Sequence, residues 1–477
     1  MGKLEEMKEL HIGRTAIEEI PPCIGSLKKL EVLNARGCVS LVGLPDSISH
    51  LINLSTLDLS DCSKLCRLPD SIGSLVKLQR LSCRVGLQND SRFDDALHHI
   101  PNSIGQLEWL TKLDLSWSGI CQLPESIGDL KNLKILDISQ SGKLSGLPST
   151  ISKLGNLEES YAINCESLGG EIPIDGLSSL KILVLNSTSI SGFTNAFDKL
   201  SRLEKLDLYN CKMLLSLPQS ISKLPSLQHL ELCNCYNLQS MPELPACLTV
   251  LRVTCQHHTL PQLSHLIHLK ELTVLGCHLL ESIPELPSGL LEINVHVCDE
   301  LKELPSLSSL EFLSVLQLEW CSELTEIKGL EGLKSLTKLV VILCSKMSKL
   351  DGLEHLESLR ALCMSPFHES DLLQVRVLDK LKNLELLSVD DCQSLVRPDL
   401  SPLTHLKQLW FGECRNLVEI KGLERLKNLE KLDIEGCRSI ETLSDLSRFD
   451  NLKDLNIKGC LKLRDVQGLE KVANVEK

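Results

Sequence analysis

Aromatic side chains make up only 3% of this 477-residue chain, while hydrophobic residues as a whole reach 43%. A core with so few rings must be built from leucine and isoleucine. Long apolar runs are also missing. The longest, Leu339 to Cys344, is far short of the roughly 18 residues that span a bilayer, so no membrane partner is expected. Basic charge is scarce relative to acid: the net charge is -13, which argues against nucleic acid, because phosphate binding needs a basic stripe. Catalytic motifs are absent too. There is no GxxxxGK[ST] loop, GxGxxG turn, HExxH or GxSxG elbow, so the chain is read as a non-enzyme with no cofactor. His229, His257 and His296 fall near a strand edge, where a single titratable group is more often a contact or bystander than a general base.

The chain does contain a repeat. It aligns on LxxLxxLxLxxCxxLxxLPxxIxx with a period of about 23 residues. Leu51, Leu54, Leu57, Leu59, Cys62, Leu65, Leu68, Pro69 and Ile72 fill one unit. With the first leucine as position 1, units open at Leu4, Leu27, Leu51, Leu75, Leu107, Leu130, Leu154, Leu177, Leu200 and Leu224. They continue at Pro245, Leu266, Pro287, Leu310, Leu333, Leu356, Leu381, Leu403, Leu426 and Phe449. Positions 6 to 10 alternate as strands do, and the Leu-Pro near position 18 breaks any helix. The expected fold is α/β: a leucine-rich-repeat solenoid, or horseshoe, of about 20 units with a concave parallel sheet and an irregular or 3₁₀ convex side. Residues 1–477 read as a single such domain, with units from 4 to 471 and irregular stretches at 86–104, 244–310 and 365–380. A change of curvature is expected where units shorten around the ELP pieces, and a disturbance where Phe367 takes position 12.

Thirteen of the 21 cysteines stand at position 12, where other units place Thr15, Ser118, Ser141 and Thr188. The shared property is a small side chain able to donate a hydrogen bond in a turn with buried carbonyls. Neighbouring thiols with parallel Cβ vectors do not bridge. Free thiols suit a reducing, cytoplasmic setting, with the nucleus also open. Cys233 with Cys235, and Cys247 and Cys255 with His257 and His258, do not follow a paired zinc spacing, so no metal site is assigned. The sequons at Asn53, Asn89 and Asn186 are about what chance gives.

Positions 6, 8, 10 and 11 should face the concave surface. In the first half they include Asp58, Asp61, Asp114, Asp137, Asp207 and Glu231, with Trp117 and Tyr209 between. These form either a solvated strand face or a surface that steers a basic partner. In the second half Trp320, Val340, Ile342, Leu343 and Trp410 take positions where polar residues usually stand. Either they mark a protein contact, or a bulge or register shift buries Val340 to Leu343.

The string G13-R-T-A-I-E-E-I-P21, the unit that follows it, and the later G329-L-E-G-L and G422-L-E-R-L segments resemble a known family. It is the leucine-rich-repeat region of plant intracellular immune receptors, the nucleotide-binding class with a Toll/interleukin-receptor-like domain. The resemblance implies recognition of a pathogen effector or a guarded host protein, and restraint of a nucleotide-binding domain. Neither that domain nor a Toll-like domain is present, so the chain is expected to be the sensor part of a longer receptor. A freestanding intracellular scaffold of the Ras-group repeat type shares the LPxxI units and is the alternative. Bacterial secreted ubiquitin ligases share the PELP pieces, but no residues remain here for their catalytic domain.

Overall fold

The computed structural model describes residues 5–86, 97–194, 197–347, 350–365, 377 and 380–476. The expected loop around 87–96 and the disturbance at 366–376, Phe367 included, lie outside the described residues. The chain forms two compact units, Met1–Leu248 and Thr249–Lys477.

In the first unit a parallel sheet is built from β1 (Glu9–His11), β2 (Val32–Asn34), β3 (Thr56–Asp58), β4 (Arg80–Ser82), β5 (Lys112–Asp114), β6 (Ile135–Asp137) and β7 (Glu159–Tyr161). A second, two-stranded parallel sheet pairs β8 (Gly169–Ile172) with β10 (Ser189–Phe193). The main sheet continues through β9 (Ile182–Val184), β11 (Lys205–Asp207) and β12 (His229–Leu232). Position 7 of each repeat stands beside position 7 of the next, as in Leu33, Leu57 and Leu81. Leu54, Leu57 and Leu59 are 0 to 1% exposed, so the alternation read from the sequence does separate an inner from an outer face.

The return path is 3₁₀, and LPxxI explains it. Pro45 sits at φ -72° and ψ 151°, and its carbonyl accepts from the Ile48 N–H at 3.0 Å. Ile48 is fully buried, and its own carbonyl accepts from Leu51, which opens the next repeat. Proline fits because its fixed φ starts the turn and the missing N–H is not needed there. Pro21, Pro69, Pro101, Pro124, Pro148 and Pro218 repeat the arrangement.

The second unit is also built on parallel strands, mostly longer than those of the first. It runs through β13 (Val250–Val253), β14 (Glu271–Leu275), β15 (Glu292–His296), β16 (Val315–Glu319), β17 (Lys338–Ile342) and β18 (Ala361–Met364). It continues through β19 (Leu386–Val389), β20 (Gln408–Trp410), β21 (Lys431–Asp433), β22 (Asp454–Asn456) and β23 (Asn474–Glu476). Here Gly-Leu-Glu often replaces Leu-Pro. Gly329, Gly352, Gly422 and Gly468 hold φ between 77° and 92° and lead three-residue 3₁₀ turns. Each unit is a leucine-rich-repeat solenoid, in which every repeat buries its leucines against its neighbours.

Position 12 closes most strand ends. Cys62 Sγ donates to Ala35 O at 3.3 Å, Cys165 to Ile138 O at 3.1 Å, Cys211 to Leu185 O at 3.0 Å and Cys437 to Phe411 O at 2.8 Å. Ser141 does the same to Leu115 O. In these five cases the acceptor is the position-9 carbonyl of the preceding repeat, whereas Thr15 and Thr188 donate to the position-9 carbonyl of their own. All 21 cysteines are free thiols.

A candidate protein-recognition surface

The acids of the first unit bond to their own strand ends. Asp58 Oδ1 accepts from Ser60 N at 2.9 Å, Asp114 Oδ1 from Ser116 N at 3.1 Å, and Asp137 Oδ1 from Ser139 N at 3.0 Å. This side-chain turn satisfies an amide where the strand ladder stops. Asp58, Asp114 and Asp137 remain half-buried. Asp61 accepts from Gly86 N at 2.6 Å and meets Arg36 Nε at 3.1 Å.

Asp207 and Glu231 do not form part of an open acidic face, contrary to the sequence expectation. They are 8% and 6% exposed. Asp207 Oδ1 accepts from Tyr209 N at 3.3 Å while Lys205 Nζ lies 3.2 Å from Oδ2, and Glu231 Oε1 accepts from Cys233 N at 2.8 Å. Each carboxylate accepts from a backbone amide two residues further along the chain and is shielded from solvent. Tyr209 does reach solvent, at 41%, and its hydroxyl accepts from Asn234 Nδ2 at 3.1 Å. Asn234 Oδ1 in turn accepts from Tyr236 OH at 2.9 Å, which fixes two exposed phenols together. Position counting alone did not single out Asn234 or Tyr236.

Val340 is a second correction: it is 4% exposed. Its strand lies between Gln317 and Cys363 in exact lateral register, and a short branched side chain flanked on both sides is covered without any bulge. Ile342 and Leu343 are half-buried, and Trp320 is 55% exposed. Trp410 is half-buried, with Lys431 Nζ 4.0 Å from its ring centroid and its Nε1 buried with no acceptor among the described residues.

A feature that the sequence reading missed is the backbone of position 11, which is left-handed in most repeats. Gly37, Gly276, Gly436 and Gly459 stand there, as do Asn164, Asn210 and Asn234, residues that accept φ near 60° at little cost. Trp117 (φ 60°), Val297 (56°), Trp320 (57°) and Leu343 (53°) occupy the same position. For such residues this conformation costs about 1 to 2 kcal/mol each. An apolar residue where Gly, Asn or another polar residue usually stands was the available signal.

Charge is also ordered along one rim, at position 5. Glu158 lies between Lys134 Nζ at 3.0 Å and Lys181 Nζ at 2.8 Å, and these two ammonium groups hold its carboxyl down at about 2. In the second unit Glu385 meets Lys407 at 2.7 Å and Arg360 at 3.4 Å, and Lys407 lowers its pKa in the same way. An open groove of about 580 Å³ follows that rim, lined by Thr337, Arg360, Asn383, Glu385, His405 and Lys407 among others. Among the described residues no three of His, Cys, Asp or Glu are grouped to hold a metal ion. Nor is any described helix long and apolar enough to cross a membrane. Cys247 Sγ donates instead to Leu224 O and Leu227 O, both at 3.1 Å.

Comparison with known proteins agrees with this architecture. Residues 1–102 match the leucine-rich repeat region family, and residues 202–224 match the leucine-rich repeat family. No curated protein sequence matches the chain. A plant peptide hormone receptor, RGFR1, solved in complex with RGF2, is similar at 18% identity and a TM-score of 0.50, covering 99% of this chain and 90% of its own. The Arabidopsis receptor kinase HAESA, in complex with the peptide hormone IDA and the co-receptor SERK1, has 18% identity and a TM-score of 0.47, with 95% and 86% covered. A leucine-rich-repeat protein of Leptospira interrogans has 23% identity and a TM-score of 0.41, with 91% and 86% covered. At this identity the likeness to the plant receptor is one of fold, a leucine-rich-repeat solenoid.

Proposed function

We propose that this chain is the protein-recognition module of a plant intracellular immune receptor, sensing a pathogen effector or a guarded host protein. In a longer receptor it also restrains the nucleotide-binding domain. The observation that carries the reading is the division of labour within each repeat. Positions 7, 9 and 12 are nearly constant and buried, whereas positions 8, 10 and 11 change chemistry from repeat to repeat on a regular frame. Such a frame displays a surface made to be read by another protein. The resemblance of Gly13–Pro21 and the Gly-Leu-Glu repeats to the immune-receptor class supplies the biological setting. Free thiols throughout suit a cytoplasmic protein.

The test is co-purification of the whole chain with candidate host and pathogen proteins from challenged plant tissue. Capture of a defence-linked partner, lost when concave positions are exchanged, is the expected result. Partners that bind equally well to a chain with Tyr209, Trp320 and Trp410 replaced by alanine would remove the concave face from the reading.

A further inference from the structure

Val297, Trp320 and Leu343 stand in three successive repeats of the second unit, each one residue past the laterally paired His296, Glu319 and Ile342. Their amides are engaged: Val297 N donates to Glu319 O and Trp320 N to Ile342 O, both at 2.9 Å, and Leu343 N to Ser365 Oγ at 2.9 Å. All three backbones are left-handed, at a position that most other repeats fill with Gly, Asn or another polar residue such as Asp61, Gln140 or Glu413. None of the three is fully buried: Val297 and Leu343 are half-buried and Trp320 is 55% exposed. Strain kept at apolar side chains that reach solvent is a feature of binding sites.

The surroundings say what kind of partner fits. Between Glu281 and Glu331 the chain has eleven carboxylates and two lysines, a net of nine negative charges out of the chain's -13. Glu319 adjoins Trp320 and lies 3.5 Å from His296. Asp299, two residues past Val297, is exposed and pairs with His278 at 2.7 Å, while Glu323 is bridged by Lys346 at 2.6 Å. A hydrophobic stripe in an acidic field attracts a ligand with aliphatic side chains and basic charge on the same segment.

We propose that Val297, Trp320 and Leu343 form a docking stripe for a cationic, aliphatic peptide segment of a partner protein. The proposal deepens the recognition reading above by naming the stripe and the chemistry of its occupant. Glycine or asparagine at these positions relieves the backbone while removing the side chain, which separates binding from folding.

The experiment measures fluorescence anisotropy of a labelled peptide of alternating leucine and lysine titrated with the whole chain, beside leucine-glutamate and glycine-lysine counterparts. The expected result is binding of the leucine-lysine peptide, weakened about tenfold or more by Trp320→Asn, Trp320→Gly and Leu343→Asn. The Tm of each variant should hold or rise. The other two peptides should bind weakly or not at all. Affinity within about twofold of the parent in all variants overturns the proposal, as does equal binding of the leucine-glutamate peptide. A fall in Tm accompanying lost affinity assigns the stripe to folding, and a dimer that Trp320→Asn dissolves assigns it to self-association; either result also overturns it. A captured defence partner insensitive to Trp320 and Leu343 removes this stripe and leaves the immune reading. Peptide binding at the stripe with no defence partner does the reverse.

Discussion

Cys437 donates its thiol proton to the carbonyl oxygen of Phe411 across 2.8 Å, joining the turn of one repeat to the strand end of the one before. Both residues are fully buried, so no water can replace the bond. Cys437→Ala should destabilise the second unit by about 1 to 3 kcal/mol, the cost of a buried carbonyl left without a donor. Cys437→Ser keeps a donor and should recover most of the loss. Urea unfolding followed by circular dichroism compares the midpoints, and equal effects of Ala and Ser would show that packing volume, not the bond, is what matters.

Asp114 gives a test of whether the acidic face is structural. Its Oδ1 accepts from Ser116 N at 3.1 Å and Ser116 Oγ at 2.7 Å. Removing the acceptor in Asp114→Ala should cost about 1 kcal/mol. Asp114→Asn removes the charge but retains a carbonyl oxygen, and should unfold at nearly the parental urea concentration. If Asn is as damaging as Ala, charge rather than turn formation is what the site uses.

Glu158 should give the rim a pH signature. Its carboxyl, ordinarily at 4.5, is held at about 2 by Lys181 and Lys134. A depressed folded-state value means the stabilisation is fully present above the ordinary carboxylate range and is lost as pH falls from 4.5 toward about 2. The parent chain should therefore resist urea better than Glu158→Gln near neutral pH, with the gap closing as the solution is acidified through that window. Added salt should narrow the gap as well, because the three side chains are solvent-accessible. A gap independent of both pH and salt would rule out the ion pairs as its source.

Gly422 shows where only glycine fits. Its φ is 77°, and an added Cβ would collide with the Ser401 backbone in the preceding repeat. Gly422→Ala should lower stability by about 1 to 3 kcal/mol and weaken the 3₁₀ turn at Leu423–Arg425. Hydrogen exchange at that turn reads the effect directly, and unchanged protection would show that the turn tolerates a side chain.

Much of the architecture was legible in the chain itself. Leu51, Leu54, Leu57 and Leu59 announced a strand and its buried face, Pro45 and Ile48 a tight return, and Cys62 a small hydrogen-bond donor at a crowded turn. Each of these is a local property repeated many times, and repetition averages out single exceptions. The candidate surface was less legible. Asp207 and Glu231 looked like solvent-facing acids, and Val340 like an exposed apolar residue, because counting positions gives the direction of a side chain but not what stands beside it.

The sequence alone determined the repeat register, the parallel strand order within each unit and the buried leucine and cysteine ladders, since all of these follow from spacing along the chain. Only the tertiary structure decided that position 11 turns left-handed, that the strand-end acids spend their oxygens on backbone amides, and that Gln317 and Cys363 flank Val340. Those outcomes depend on groups one repeat away, brought within a few ångströms by stacking.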